Sequence, residues 1–235
     1  MATHDYHIRQ YENIYETTRG LLELMDECIP DMSARKIADV ACGAGANVIH
    51  MLRRWPKTEC VGFDLCATDL EYAQTHVPSD LKERVEYKKA DLFKLAEKEP
   101  ASKFACTTLM QTLLLFNADE YPDVLRNIIH ISNEWVFLSG LFADHNMDVT
   151  MKIRDHLRED YVFYHIQDIA RFEQKCMQLG VEEVIMRDFD ISIDLTAPEE
   201  GGIGTWTQKM NDGRRLQFSG AVPMPWKFCA LRLKK

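Results

Sequence analysis

An apolar run that breaks at a Gly-x-Gly turn and resumes as a helix constrains this chain more than any other feature. The stretch is Ile37-Ala38-Asp39-Val40-Ala41-Cys42-Gly43-Ala44-Gly45-Ala46-Asn47. Its first half has the β-branched, apolar character of a buried strand, and the glycines allow a sharp bend that a ligand can approach without a Cβ in the way. Further apolar runs follow, each separated by a segment of helical period. Parallel strands cannot be joined by hairpins and need crossover connections, so this alternation implies an α/β, doubly wound, mostly parallel sheet with helices on both faces.

The periodicity predicts one or two helices over residues 8–28, with Ile14, Leu21, Leu22, Leu24 and Met25 as apolar positions. Strands are expected at Lys36–Ala41, Glu59–Asp64, Arg84–Lys88, Lys103–Leu109 and Glu134–Leu141. Helices are expected near 46–54, 68–76 and 119–131. The last third differs. A helix at about 167–179 stops at Gly180, a strand lies within Val184–Leu195, and Trp226–Leu233 is the final strand. Between these, Thr205–Met210 and Arg214–Ser219 flank Asn211-Asp212-Gly213, where Asp-Gly supplies the positive φ angles of a tight hairpin. The expected organisation is a single unit, 1–235. It comprises an N-terminal helical cap over 1–30, a ligand-binding core over 35–141 and a substrate-side part over 142–235 with an inserted hairpin at about 203–219.

Charge narrows the partners. With 28 Lys+Arg against 37 Asp+Glu the net charge is −9, which does not suit a phosphate-neutralising surface. No nucleic acid is therefore expected as partner. The seven cysteines form no Cys-x-x-Cys pair and sit mostly in apolar runs, so they read as free thiols of a reducing cytoplasm, with no metal site. No run approaches membrane-span length, and a cytoplasmic location without membrane association is expected.

The acids around the turn sharpen the ligand class. A dinucleotide fingerprint would place a third glycine at position 48, where Val48 stands. Asp39 lies just ahead of the turn, where a carboxylate would repel a pyrophosphate and welcome an ammonium or sulfonium. Asp64 ends the next strand, positioned to accept the hydroxyls of a ribose. Together these favour a cationic nucleoside over a nicotinamide dinucleotide, although NAD enzymes also carry an acid at the second position.

On these residues the chain resembles the class I S-adenosylmethionine-dependent methyltransferases. Ala38 to Gly45 is similar to their glycine motif, with Ala41 in place of its first glycine. The resemblance covers about residues 35–141 and implies a seven-stranded sheet of that type, with S-adenosyl-L-methionine as cofactor and S-adenosyl-L-homocysteine as product. It implies that Ala41, Gly43 and Gly45 line the methionine end and that Asp39 holds the amino group, directly or through water. It further implies that Asp64 binds the ribose, Leu65 packs on adenine, and Asp91 and Leu92 meet the adenine edge. Met110, at the end of strand four, would lie beside the reactive methyl. Asp91 also reads as a plain helix N-cap. Tyr11, Tyr15 and Arg19 recur at helical spacing and are expected to share one face, either as a cap over the methionine carboxylate or as simple packing.

Ligands of open α/β sheets bind beyond the carboxyl ends of the strands. His145, oriented by Asp144, is the first candidate for a catalytic base there, and His165 the second. The hairpin is expected to carry Trp206 and Phe218 as a lid, and Arg154, Arg158, Arg214 and Arg215 could make the site locally basic. The function expected is methyl transfer to a small-molecule acceptor, with an oxygen of a sugar or secondary metabolite favoured. Three alternatives stay open: an N-methyltransferase on a small molecule or protein, a non-catalytic cofactor-binding regulatory module, and a nicotinamide-dependent reductase. Monomer and homodimer are equally open.

Overall fold

The strand and helix periods of the first 141 residues become elements close to where they were expected. The computed structural model describes residues 9–157, 159–199 and 201–234. Residues 1–8 of the expected cap, and Arg158, therefore lie outside the described residues. Strands β1 (Lys36–Val40), β2 (Glu59–Asp64), β3 (Val85–Lys89), β4 (Phe104–Leu109) and β5 (Ser132–Ala143) pair in parallel in the order β3-β2-β1-β4-β5. Every crossover between them carries helical structure, as parallel pairing requires.

Helices α1 (Glu16–Cys28), α2 (Ala46–Arg54) and α3 (Ala67–His76) bury their apolar residues in one core with Ile37, Cys60 and Cys106 of the sheet. Helices α4 (Tyr121–Ile131) and α5 (Ile169–Gln178) do the same on the opposite face with Val40, Phe63 and Phe104. The sheet is thus covered on both sides, and the burial of β1 and β4 follows.

One correction concerns the N-terminal segment. Tyr11, Tyr15 and Arg19 do not share a helical face, because residues 9–12 are helical, 13–15 are not, and Tyr15 is extended (φ −80°, ψ 156°) ahead of α1. Tertiary contacts override the local spacing: His50 Nε2 hydrogen-bonds Gln10 O at 2.8 Å, and the Tyr11 hydroxyl donates to Ala44 O, so the first turn is tied to α2 and the glycine turn. Arg19 is half-exposed and lies 3.5 Å from Glu16.

The C-terminal third completes the sheet with β8 (Val181–Asp188) and β12 (Trp226–Leu233). β12 is inserted antiparallel between β5 and β8. The seven-stranded path is as expected, but the sheet contains nine strands. The two extra strands, β6 (Val149–Asp155) and β7 (Asp160–Asp168), form an antiparallel hairpin in a segment to which the sequence reading assigns no element. β7 pairs with the last residues of β5, Leu141–Ala143. β12 occupies the other side of β5 up to Phe142, whose N–H reaches Pro225 O, so β7 continues on the side of β4 beyond its end at Leu109. The strand expected within 184–195 ends earlier, at Asp188.

The expected C-terminal hairpin is present as β9 (Thr205–Lys209) and β10 (Arg215–Ser219). A short β11 (Val222–Pro223) makes it a separate three-stranded sheet. Trp206 and Phe218 face one another in register and stack at 4.4 Å, and Trp206 Nε1 donates to Gly220 O at 2.7 Å. All seven cysteines are free thiols. Among the described residues, no helix is long and apolar enough to cross a membrane.

Candidate functional site

Register places Thr108, Asp39, Gly62 and Tyr87 side by side across β4, β1, β2 and β3, on the α1–α2 face of the sheet. Gly62 leaves room for the Tyr87 ring: a Cβ there would stand 2.6 Å from that ring and 2.9 Å from Cys42 Sγ. The ring reaches on to the glycine turn, where a Cβ on Gly45 would collide with the Tyr87 hydroxyl. Gly45 has φ +84° and Gly43 φ +52°. Ala41 also holds a positive φ, 54°, so the turn keeps its shape where alanine replaces glycine. That conformation costs an L-residue roughly 1–2 kcal/mol.

Asp39 is 1% exposed. Its Oδ1 accepts from Thr108 Oγ1 at 2.5 Å, and its Oδ2 has no hydrogen-bond partner. Burial pushes the carboxyl up to about 7, with Thr108 opposing and Asp64 adding to the rise. A half-satisfied buried carboxyl is costly unless something donates to it.

Asp64 is differently placed. Its Oδ2 accepts from Gly43 N at 2.7 Å and its Oδ1 from Cys66 N at 2.8 Å. The side chain therefore ties the glycine turn to the entrance of α3. Leu65 beside it is exposed. Asp91 caps the helical turn that follows β3, its Oδ1 accepting from Phe93 N at 3.0 Å, and Leu92 packs on the second core. Met110 is buried at the end of β4, and the following Gln111 (φ +52°) donates its N–H to Ser139 Oγ on β5 at 2.8 Å.

The family model for a methyltransferase domain matches residues 37–134, which span this strand-turn-helix, the next three strands and the first residues of β5. Over this stretch the chain is similar to methyltransferase domains, and its fold is that of solved methyltransferase structures. It is similar to a trans-aconitate 2-methyltransferase of Afipia carboxidovorans, 38% identical over 63 residues, 27% of this chain and 24% of that one. A Rhodopseudomonas palustris protein of the same name is 35% identical over the same share of each. The matched stretch thus spans about a quarter of the length of these relatives. Two solved structures share the fold. Synechocystis magnesium protoporphyrin IX methyltransferase with bound SAH has a TM-score of 0.63 at 10% identity, covering 99% of this chain and 95% of that one. The Haloferax volcanii complex of the Trm112 methyltransferase activator with a methyltransferase gives 0.66 at 12%, covering 100% and 94%.

At the carboxyl edge of the sheet, β2, β3, β4 and β5 are each followed by an exposed apolar residue, Leu65, Phe93, Leu115 and Met147. Phe93 meets Phe116 edge-on at 5.5 Å. Asp144 and His145 stand on this edge in an exposed bend after β5, but no hydrogen bond joins them among the described residues. The expected orientation of His145 by Asp144 is therefore not made, and both residues are exposed.

The histidine that is held at this edge is His165. It is 6% exposed, and its Nδ1 lies 2.9 Å from Thr150 Oγ1 across the β6–β7 ladder. Burial pushes its pKa down, with Glu120 opposing, so it is neutral at pH 7. The basic cluster expected near the site is not assembled either. Arg214 pairs with Asp212 at 2.7 Å and Arg215 with Asp194 at 2.8 Å.

Proposed function

We propose that the chain transfers a methyl group from S-adenosylmethionine to a small-molecule acceptor, with an oxygen as the acceptor atom. The observation that carries this reading is Asp39: a buried carboxyl at the foot of the glycine turn with one oxygen unpartnered. An ammonium is the donor that such an atom favours most, whereas a pyrophosphate would be repelled by it.

The residues present fit the cofactor end to end. The turn formed by Ala41, Gly43 and Gly45 lines the methionine end, and Asp39 receives its amino group. Asp64 retains lone pairs for the ribose beyond those engaged by Gly43 and Cys66. Exposed Leu65 offers a face for adenine, with Asp91 and Leu92 at its edge, and Met110 stands at the reactive end. Tyr15 and Arg19 cap the carboxylate, Arg19 sharing its charge with Glu16. When bound, S-adenosylmethionine supplies a methyl group made electrophilic by its sulfonium. The protein has little covalent chemistry to do, and its contribution is alignment, water exclusion and, for a hydroxyl acceptor, a place for the proton. Asp144 and His145 remain the exposed candidates for that place. The similarity to proteins named for trans-aconitate, a polyanion, supports an acidic small molecule over a macromolecule.

Incubation with methyl-tritiated S-adenosylmethionine and a panel of hydroxyl, carboxyl and amine metabolites tests this. Labelled product on an oxygen, with stoichiometric S-adenosylhomocysteine, is expected. Label only on nitrogen would contradict the acceptor assignment, and tight binding with no turnover on any member would favour a regulatory module.

A further inference from the structure

Three features lie on one face of the β6–β7 hairpin. The register pairs Thr150 with His165, Lys152 with Phe163 and Arg154 with Tyr161, so these side chains share a face with Gln167. At the inner end a cavity of about 280 Å³ is lined by Asn117, Thr150, His165 and Gln167, with Asp119 and Asp148 also at its wall. Gln167 is 2% exposed, and its Nε2 donates to Phe116 O at 2.9 Å. That bond fixes the amide's orientation, since a carbonyl cannot donate to a carbonyl, and it leaves Oε1 buried without a partner. His165 is held through Nδ1 by Thr150, and no hydrogen bond reaches its Nε2 among the described residues. The amide oxygen and the free imidazole nitrogen each call for a donor; a hydroxyl has one proton, and the imidazole, the stronger base, takes it.

The outer end has a different character. Lys152 Nζ lies 4.2 Å from the Tyr161 ring centre and 5.6 Å from that of Phe163, and the Arg154 guanidinium lies 5.7 Å from Tyr161. Both rings are exposed. Neither cation has a carboxylate partner among the described residues, on a chain whose net charge is −9. At roughly 3.4 Å per residue, the Phe163 row stands ~7 Å and the Tyr161 row ~14 Å from His165, which puts the Lys152 ammonium on the order of 10 Å from the imidazole. Asp119 and Asp148 at the inner end would turn an anion outward, toward these cations. The connection from Met110 to Asn117 runs from the end of β4 to the cavity wall, and β7 pairs with the last residues of β5, so the cavity lies at the carboxyl edge of the sheet.

We propose that this face is the acceptor site, taking a hydroxyl on a planar ring that ends in a carboxylate. The hydroxyl donates to His165 Nε2 beside the Gln167 amide, the ring rests along Phe163 and Tyr161, and the carboxylate meets Lys152 and Arg154. The assignment rests on the methyl-transfer reading and moves the proton acceptor from His145 to His165. In the transfer the hydroxyl proton passes to His165 Nε2 and an oxygen lone pair forms the new carbon–oxygen bond. The carbon–sulfur pair stays on sulfur as a neutral thioether, and the imidazolium then releases its proton to water. His165 is the catalytic residue, and Thr150 positions it.

The probe is 4-hydroxycinnamate, titrated calorimetrically into protein saturated with S-adenosylhomocysteine, with 4-methoxycinnamate as control. The hydroxy compound is expected to bind at least ~10-fold more tightly, the effect of one buried hydrogen bond. The double variant Lys152→Gln/Arg154→Gln should weaken it at least ~5-fold, and more at low salt. With S-adenosylmethionine, wild type should form 4-methoxycinnamate, and His165→Asn should do so ~100-fold more slowly with S-adenosylhomocysteine affinity unchanged. If His165→Asn loses that affinity through misfolding, Thr150→Val replaces it, with a ~10-fold slower rate expected from a loosened imidazole. Failure of wild type to bind S-adenosylhomocysteine overturns the methyl-transfer reading and this site with it. Binding of S-adenosylhomocysteine with equal, or no, binding of the two cinnamates overturns the site alone.

Discussion

Asp39→Asn is expected to loosen S-adenosylhomocysteine by ~10- to 150-fold while making the free protein more stable above pH 7. The two effects share one cause. In the free protein the Asp39 carboxyl is buried with one unpartnered oxygen, and burial raises it to about 7. Its ordinary value is ~3.9, so between about pH 4 and 7 the folded state binds a proton that the unfolded state has released. Folding stability contributed by this group therefore falls as pH rises through that window and stays low above it. A rise of that size corresponds to at most ~4 kcal/mol, a penalty absent from the neutral amide. The carboxylate is stabilised only when a cation donates to it, and a charge-assisted hydrogen bond contributes ~1.5–3 kcal/mol. Affinity for S-adenosylhomocysteine should accordingly rise with pH through about 7 in wild type, and that slope should vanish in the variant. Thermal melts and calorimetry at pH 6 and 8 read both halves. A variant that binds as well as wild type would remove Asp39 from the ligand site and leave it as an internal defect of the turn.

Asp64→Ala should weaken the same ligand by ~1.5–3 kcal/mol and, unlike the change at Asp39, lower stability as well. The side chain accepts from Gly43 N and Cys66 N at 2.7 and 2.8 Å, so its removal leaves two amides without their partner. Each costs ~1–3 kcal/mol if water cannot reach it. Because Gly43 belongs to the turn, loss of its anchor also lets the turn drift, and the binding loss should sit at the upper end of the range. Asp64→Asn is the sharper probe: one amide oxygen can still accept, but its NH₂ must face a backbone N–H. A folded Asp64→Ala protein with unchanged affinity would eliminate the ribose assignment.

The contrast between these two acids shows where sequence reasoning reaches its limit. Both positions are legible, since each ends a strand of clear period and precedes a turn or helix. The bond from Asp64 to Cys66 N is local and follows the habit of aspartate at turns. Its bond to Gly43 spans 21 residues and needs the parallel register to exist. The break in the N-terminal helix is similar: the i, i+4, i+8 spacing of Tyr11, Tyr15 and Arg19 is real, but Tyr11 is held by Ala44 and not by its own helix.

The β6–β7 hairpin, where no element is expected from the sequence, nonetheless carries a legible signal. Val149-Thr150-Met151-Lys152-Ile153-Arg154 alternates apolar and polar residues strictly, the mark of a half-exposed strand. What no periodicity could reveal is that β7 would take over the side of β5 where β4 ends and bring His165 to the carboxyl edge. The choice between His145 and His165 depends on burial and on Thr150, fifteen residues away along the chain. The arginines divide the same way. Arg214 is neutralised by a neighbour two residues back and Arg215 by Asp194 across a fold, whereas Lys152 and Arg154 lie against aromatic rings instead.

The central claim is that the glycine turn and its two acids hold S-adenosylmethionine rather than a nicotinamide dinucleotide. Calorimetric titration of the purified protein with S-adenosylhomocysteine, run in parallel with NADH, tests it most directly. Micromolar, one-to-one binding of S-adenosylhomocysteine with no heat from NADH is the predicted result. Binding of NADH, or of neither compound, would contradict it.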